Sequence, residues 1–395
     1  MKKNILLSVL FLFTILFNAC GSGSHSNKTS KQPFSKSEKE FVHQLFLTEY
    51  LWFDQVPSDI DYSTVDTPEA LVDTLRVTPQ DKWSFSLTAQ EYDDLVNQKT
   101  EGFGFGFSSD YTILYTFIDS PAYGKLKRGD KILEINGHTI SQENLTQAKE
   151  SLGKSTTFTL LRGGDSVEVN IVPRAYTFKV TAAKIISQNH TQKVGYLRYD
   201  GFNSSSVPEM EKAFTTFKNA NITDLVIDLR YNGGGSVTVA STLLDNITNA
   251  YPGKRQGYLD WNENYKNKNE NFYFSTEVEP NDLRMKRVFF LVTKNSASAS
   301  ELVISALKPY LGDANVITIG TATHGKNVGM GGRNYGDNYY FLVNFFVKNN
   351  ANQTISTHGI PATCHAQDDL SHALGDPNEA MLKTALHYIQ THQCL

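Results

Sequence analysis

Apolar residues at helical spacing dominate the first part of the chain. Between Lys36 and Trp52 they recur every three or four positions, which predicts a helix. Thr67-Pro68-Glu69 predicts a second helix start, because threonine caps helices and proline suits their first turn. Thr88-Ala-Gln-Glu91 matches the capping-box pattern of a third. Residues 34–99 are therefore predicted to be an N-terminal helical region without a catalytic cluster, whose role is packing or linking.

Alternating glycine and phenylalanine follow in Gly102-Phe103-Gly104-Phe105-Gly106-Phe107. The alternation predicts a strand with one apolar face and bare backbone on the other. Such a strand is either a simple edge strand or a place where exposed N–H groups receive a peptide's terminal carboxylate or pair with its backbone.

The residues after this strand favour the second interpretation. Asp119-Ser-Pro-Ala122 and the stretch Leu126 to Gly137 resemble a PDZ domain of the bacterial protease type, and the resemblance covers residues 100–174. It implies that a chain end adds as a strand beside Gly102-Phe103-Gly104-Phe105, which would bind the peptide. The groove helix would run from Asn144 to Leu152.

From Tyr176 onward, apolar strands alternate with amphipathic helices, which predicts an α/β domain over residues 175–395. The strands are nearly all apolar, as expected when both faces of a sheet are covered. They are predicted at Lys193–Tyr199, Asp224–Arg230, Arg287–Thr293 and Ala314–Ile319.

A run of very small residues, Asn295 to Glu301, lies between a buried strand and a helix. Ser298 and Glu301 fit a capping box, which is the commoner reason for such a pattern. The alternative is that Ser298 is a nucleophile, since the unpaired N–H groups of a helix's first turn are suited to hold an oxyanion.

Two further loops contain candidate chemistry. Tyr231-Asn-Gly-Gly-Gly235 is a tight turn, a phosphate loop or an oxyanion donor loop; the absence of a following Lys-Ser/Thr disfavours the phosphate loop. The loop from Gly320 to Lys326 holds two candidate bases for a serine, His324 and Lys326. Burial favours the neutral form of a lysine amine, which can then accept a proton. Most lysines, however, lie on protein surfaces.

These three motifs, in this order behind a PDZ-like region, resemble the C-terminal processing (tail-specific) peptidases over residues 100–395. The resemblance implies a multidomain α/β and α+β protein: an N-terminal helical region, a PDZ domain and a crotonase-like Ser/Lys peptidase core. Ser298 would be the nucleophile and Lys326 the general base. The N–H of Ala299 and that of Gly233 or Gly234 would form the oxyanion hole. No metal or cofactor is implied, and the partners would be polypeptides bound through their C-termini.

One position departs from the family pattern. Glutamine is frequent four residues after the lysine, where it orients the amine, but this chain has Met330. A thioether is only a weak hydrogen-bond acceptor. Asn327 or a group elsewhere is expected to substitute. The departure also favours an alternative function, a catalytically weak or inactive periplasmic scaffold that binds peptides.

The N-terminus has the features of an export signal. Lys2 and Lys3 precede an apolar run that is short for a membrane span, and small residues follow. Phe17-Asn-Ala-Cys20 resembles a bacterial lipobox, which implies a signal peptide over residues 1–19 and a lipid anchor on Cys20. Ordinary secretory cleavage nearby is the alternative. Residues 20–33 are predicted to be a flexible tether, and the mature protein to face the periplasm in a bacterial cell envelope.

Charge and cysteine content refine this description. A formal net charge of −4 gives no basic footprint for nucleic-acid binding. After Cys20 only Cys364 and Cys394 remain, and an exported protein meets an oxidising compartment. A disulfide between them is predicted, against the alternative of two free thiols.

Overall fold

The computed structural model describes Val9–Leu10 and residues 34–187, 192–277 and 279–395. Cys20, the tether and all of the predicted signal peptide except Val9–Leu10 lie outside the described residues. Val9–Leu10 forms a short strand, β1, that pairs antiparallel with Gly235–Ser236. None of the helices in the described ranges is long and apolar enough to cross a membrane.

The N-terminal region contains the three predicted helices. Its elements are α1 (Lys36–Thr48), α2 (Pro68–Leu75), β2 (Phe85–Thr88) and α3 (Ala89–Val96). Thr67 caps α2 through its side chain, and Thr88 with Glu91 forms the predicted capping box of α3. The predicted helix starts are therefore confirmed.

The middle module is mainly antiparallel. Its elements are β3 (Lys99–Gly102), β4 (Phe105–Phe107), β5 (Ile113–Thr116), β6 (Lys131–Ile135), β7 (His138–Thr139), α4 (Gln142–Glu150), β8 (Thr156–Arg162), β9 (Asp165–Ile171) and β10 (Arg174–Thr177). Four strands form a sheet in the order β7-β6-β8-β9, while β4 pairs with β5 and β3 with β10. Helix α4 occupies the segment predicted for the groove helix.

The predicted single strand from Gly102 to Phe107 is wrong in its first half, although Phe105–Phe107 does form a strand. The chain leaves β3 at Gly102 and enters β4 at Phe105. Between them Gly102 and Gly104 have φ values of 115° and 83°, a region that glycine enters at no steric cost. A Cβ on Gly104 would lie 2.3 Å from Ser120 Cβ, so the turn needs glycine for space as well as for conformation.

The largest unit is built on a six-stranded sheet. Its elements, in chain order, are β11 (Thr181–Ser187), β12 (Lys193–Tyr199), α5 (Val207–Ala220), β13 (Asp224–Asp228), β14 (Gly235–Ser236), α6 (Val237–Ile247), β15 (Arg255–Trp261), β16 (Glu270–Tyr273), β17 (Val288–Val292), α7 (Ala299–Leu311), β18 (Val316–Gly320), β19 (Val328–Tyr335), β20 (Asn338–Asn349), β21 (Cys364–His365) and α8 (Ala380–Thr391).

Five neighbouring strands of this sheet, β12-β13-β17-β18-β21, are parallel, and β11 joins β12 antiparallel at the edge. Helices α5, α6 and α7 cover one face and α8 the other. All residues of β13, β17 and β18 are buried, which explains their predominantly apolar sequences.

A second sheet connects this unit to the N-terminal region. Strands β16, β15, β20 and β19 lie in that order, and β2 pairs with β20. Val42, Phe46 and Leu71 of the N-terminal region form one apolar cluster with Met330 and Val343 of the second sheet. The N-terminal region is therefore part of the same packed body.

Candidate active site

The three loops singled out in the sequence follow the carboxyl ends of β13, β17 and β18, which are adjacent parallel strands. Carboxyl ends of parallel strands meet at one edge of a sheet, where open α/β folds hold their sites. The loops are joined by hydrogen bonds: Ala297 N–H donates to Asn232 O at 3.1 Å, and His324 N–H donates to Ser296 O at 2.9 Å.

Ser298 differs from the two neighbouring serines. Ser296 Oγ donates to Leu229 O at 2.7 Å and Ser300 Oγ to Asn232 O at 3.0 Å. Ser298 Oγ is buried and has no hydrogen-bond partner among the described residues. Its backbone has a φ of 63° and a ψ of −116°, a strained conformation for a residue with a side chain. Two of the three serine hydroxyls therefore stabilise the loop. The Ser298 hydroxyl has no such structural hydrogen bond within the described ranges and is the candidate nucleophile.

Glu301 connects the serine turn to the lysine loop. Its Oε2 accepts from the backbone N–H of Ser298 at 2.8 Å and of Lys326 at 3.0 Å. These two nitrogens consequently lie within about 6 Å of each other. Its Oε1 accepts from Thr323 Oγ1 at 2.6 Å and from Gly325 N at 2.7 Å. The sequence suggested Glu301 only as a helix cap, and its second role, holding the lysine loop, was missed.

Lys326 is almost fully buried, with 1% of its surface exposed. Burial lowers the pKa of its amine to about 7, and the charges of Asp81 and Glu301 oppose that shift. A large fraction of the amine is thus neutral at neutral pH, as a general base requires. The other candidate, His324, is half-buried, and burial and the nearby Lys326 lower the pKa of its imidazole.

The glycine loop approaches Ser298 closely. A Cβ on Gly234 would lie 3.0 Å from Ser298 Oγ and 2.7 Å from its Cβ, and Gly234 has a φ of 111°. The predicted donor role of Gly234 needs correction, because its N–H donates to Asn232 Oδ1 at 2.8 Å. Gly233 remains the predicted donor of this loop. Ala299 begins α7, where helix geometry gives the N–H no intrahelical acceptor.

The N-terminal region contributes to the site, contrary to the expectation that it only packs or links. Trp83 places its ring 4.8 Å from Lys326 Nζ and meets the His324 ring edge-on at 4.9 Å. Asp81 is fully buried and accepts from Trp83 N–H at 2.8 Å. Met330 packs in the apolar cluster beneath α1 and α2. No local sequence pattern marks Asp81 or Trp83, since their contacts form only in the folded chain.

A buried charged network ties the middle module to the glycine loop. Arg128 donates to Tyr231 Oη at 2.5 Å and pairs with Asp368, which also binds Tyr231. Burial raises the pKa of Asp368, but Arg128 and Arg230 outweigh it and hold the pKa below its usual value. Tyr231 immediately precedes Asn232, so this network ends at the loop that faces Ser298.

The predicted peptide-binding residues lie in the middle module. Phe103, Gly104 and Phe105 line a groove in the middle module, together with Leu145 and Lys149 of α4. Gly102 lies beneath the aliphatic stem of Lys149.

Cys364 and Cys394 form a disulfide with a Cα–Cα distance of 5.4 Å, which links β21 to the segment after α8. The described residues contain no group of three or more His, Cys, Asp or Glu side chains placed to bind a metal ion.

Comparison with known proteins identifies the family. The family model "Peptidase family S41" matches residues 193–365, and "Peptidase S41 N-terminal domain" matches residues 37–85. Together the two matches cover more than half of the chain. The chain belongs to peptidase family S41. The first match takes in Ser298 and Lys326, and the second takes in Asp81 and Trp83.

Two S41 relatives from Bacillus subtilis are similar over different lengths. The carboxy-terminal processing protease CtpB is 28% identical over 230 residues, 56% of this chain and 46% of CtpB. The carboxy-terminal processing protease CtpA is 23% identical over 344 residues, 84% of this chain and 68% of CtpA. The match to CtpB thus spans about half the length of that protein.

Solved structures show the same fold. A Bacteroides fragilis protein assigned to the S41 proteases has a TM-score of 0.76 at 24% identity, covering 89% of this chain and 97% of that one. The photosystem II D1 C-terminal processing protease has a TM-score of 0.52 at 18% identity, covering 83% and 92%. The chain therefore has the mixed α/β fold of S41 proteases.

Proposed function

We propose that this S41 protein is an exported serine endopeptidase that uses a Ser298–Lys326 dyad to cleave proteins or peptides of the cell envelope. The observation that carries the proposal is the position of Glu301, which binds the backbone N–H groups of both residues through one oxygen. Membership of the S41 family and the names of the processing proteases it resembles support the same reaction class.

The proposed mechanism is acyl transfer. The neutral Lys326 amine takes the proton from Ser298 Oγ, and the oxygen attacks the scissile carbonyl carbon. The N–H groups of Ala299 and Gly233 stabilise the oxyanion of the tetrahedral intermediate. The lysine ammonium then gives its proton to the leaving amine, and water hydrolyses the acyl-enzyme with Lys326 again as base.

Digestion of an unfolded protein tests this mechanism. Wild type should degrade casein, and Ser298→Ala and Lys326→Ala should each reduce the rate by about three orders of magnitude or more. Ser300→Ala is a matched control, since its hydroxyl serves the fold through Asn232. Equal digestion by wild type and Ser298→Ala would refute the proposal. Absence of digestion by every variant under several conditions would favour the inactive peptide-binding scaffold instead.

We further propose that the middle module is a PDZ domain that captures substrate C-termini. The groove between β4 and α4 supports this, because its phenylalanine and leucine side chains offer an apolar pocket beside the positive-φ turn at Gly104. A peptide ending in an apolar residue with a free carboxylate should bind the Ser298→Ala protein. Its amidated form should bind at least about tenfold more weakly, since it lacks the terminal charge. Equal affinities would refute capture of the C-terminus.

Export and lipid anchoring through Cys20 complete the proposal and rest on the sequence alone. Expression in a bacterial host should yield a mature protein whose first residue is a lipid-modified cysteine, detectable by mass spectrometry of the N-terminal peptide. Cys20→Ala should shift the protein from the membrane fraction to the soluble fraction. A mature N-terminus at another residue would show ordinary secretory cleavage.

A further inference from the structure

Met330 leaves open how the Lys326 amine is oriented. The methionine lies in the apolar cluster of the N-terminal helices and offers no strong hydrogen bond. The groups that face Lys326 come from two directions. Asp81 and Trp83 approach from the N-terminal region, while Glu301 and His324 belong to the catalytic loops.

Trp83 is the described residue whose ring lies over the amine, with its centroid 4.8 Å from Nζ. A cation over an indole face is attracted by the ring's quadrupole, and the attraction is stronger for tryptophan than for phenylalanine. The contact favours the ammonium over the neutral amine. It therefore acts when Lys326 has accepted the proton of Ser298, the moment at which positive charge develops in a buried site.

The ring is held in place by a buried turn. Asp81 accepts from the backbone N–H of Trp83 at 2.8 Å and of Ser84 at 2.9 Å. Its second oxygen accepts from Tyr50 Oη at 2.8 Å. Ser84 Oγ in turn accepts from Val343 N–H at 3.0 Å, which anchors the turn to β20. The turn thus connects the N-terminal helices to the lysine loop through a fully buried carboxylate.

We propose that Trp83 is a positioning residue for Lys326, which orients the buried amine and stabilises the ammonium formed during each proton transfer. The proposal rests on the function assigned to Ser298 and Lys326 and adds a residue of the N-terminal region to it.

The test compares Trp83→Leu, Trp83→Phe and Trp52→Leu in the full chain. Trp52 is a matched control because it packs on Tyr50 within the N-terminal region at a ring distance of 5.4 Å. The readout is kcat/KM for fluorescently labelled casein as a function of pH. The pH at which activity rises on the acid side reports ionisation of the Lys326 amine. A substitution with a merely structural effect would not change that pH.

Loss of the ring should make the amine a weaker base. For Trp83→Leu we expect the acid limb of the pH profile to move to lower pH by about half to one unit. The plateau value of kcat/KM should fall roughly tenfold. Trp83→Phe should shift the limb in the same direction by less and keep most of the plateau. Trp52→Leu should leave the limb in place.

The proposal would be overturned if the acid limb stayed at the same pH in both Trp83 variants. It would also be overturned if kcat/KM fell as far in Trp83→Phe as in Trp83→Leu. If Trp83→Leu fails to fold, the limb of Trp83→Phe decides alone. A failure of the dyad itself is recognised separately, because Ser298→Ala would then retain activity.

Discussion

Glu301 accepts a hydrogen bond from the backbone N–H of Lys326, a residue 25 positions further along the chain. The same carboxylate holds the N–H of Ser298, so one buried side chain sets the spacing between the proposed nucleophile and the proposed base. Burial raises the pKa of Glu301, and its four hydrogen bonds work against that shift. The Ser298 and Lys326 loops are thus held together by a residue that has no role in the proposed proton transfer.

Glu301→Gln should therefore reduce both stability and activity. Both oxygens of the carboxylate accept two hydrogen bonds each, and the amide NH₂ of glutamine would face two donors. We expect the free energy of unfolding to fall by about 1–3 kcal/mol. Denaturant titration and casein digestion measure the two effects. Glu263→Gln on the surface is the control, and a variant indistinguishable from it would contradict the bridging role.

Lys326→Met should stabilise the protein at neutral pH. The pKa of Lys326 is about 7 in the folded state and about 10.5 in the unfolded chain. Between these pH values the unfolded chain binds more protons, so the lysine's contribution to stability rises with pH through this window. At pH 7 the buried amine costs on the order of 4 kcal/mol, and near pH 10.5 the cost vanishes.

Unfolding of Lys326→Met and wild type at both pH values measures this difference. The exposed Lys294→Met serves as control. A difference between Lys326→Met and wild type that does not change with pH would show that the lysine titrates normally.

Arg128→Ala should disturb the glycine loop from a distance. Arg128 is 5% exposed and pairs with Asp368, so its removal leaves Asp368 with Arg230 as its remaining cationic partner and Tyr231 without its donor. We expect a loss of about 1–3 kcal/mol in unfolding free energy, accompanied by a lower kcat on casein. Lys131→Ala removes an exposed ion pair in the same module and should change neither. If the Arg128→Ala protein folds and its kcat is unchanged, the network of Arg128, Tyr231 and Asp368 has no effect on catalysis.

The disulfide between Cys364 and Cys394 should stabilise the C-terminal helix. It closes a loop of 30 residues, worth about 3–4 kcal/mol in the chain-entropy model. Thermal unfolding with and without dithiothreitol should show a lower Tm under reduction. The Cys364→Ser/Cys394→Ser variant should have the lower Tm in both conditions. If dithiothreitol reduces the disulfide of the wild type without lowering its Tm, the proposed stabilisation is contradicted.

Much of the site was predictable because its residues follow apolar strands. The strand ends before Asn232, Ser298 and Lys326 are visible in the sequence, and adjacent parallel strands bring their following loops together. Spacing likewise predicted α1, the cap of α2 and the groove helix α4. These features depend on local periodicity and caps.

Contacts between distant segments escaped prediction for a physical reason. Asp81 and Trp83 carry no periodic signal, and their approach to Lys326 depends on how β2 pairs with β20. The Gly102 turn was misjudged because alternation predicts a strand, whereas positive φ at two glycines bends the chain. The Gly234 amide was assigned to an oxyanion hole because nothing in the sequence shows that Asn232 accepts from it.

The most direct test of the central claim is site-resolved labelling with a fluorophosphonate. Peptide mass mapping distinguishes Ser298 from the adjacent Ser296 and Ser300. We predict an adduct on Ser298 alone, formed at a rate that rises with pH through about 7 and is lost in Lys326→Ala. Labelling of another serine, or labelling of Ser298 that persists unchanged in Lys326→Ala, would contradict the account.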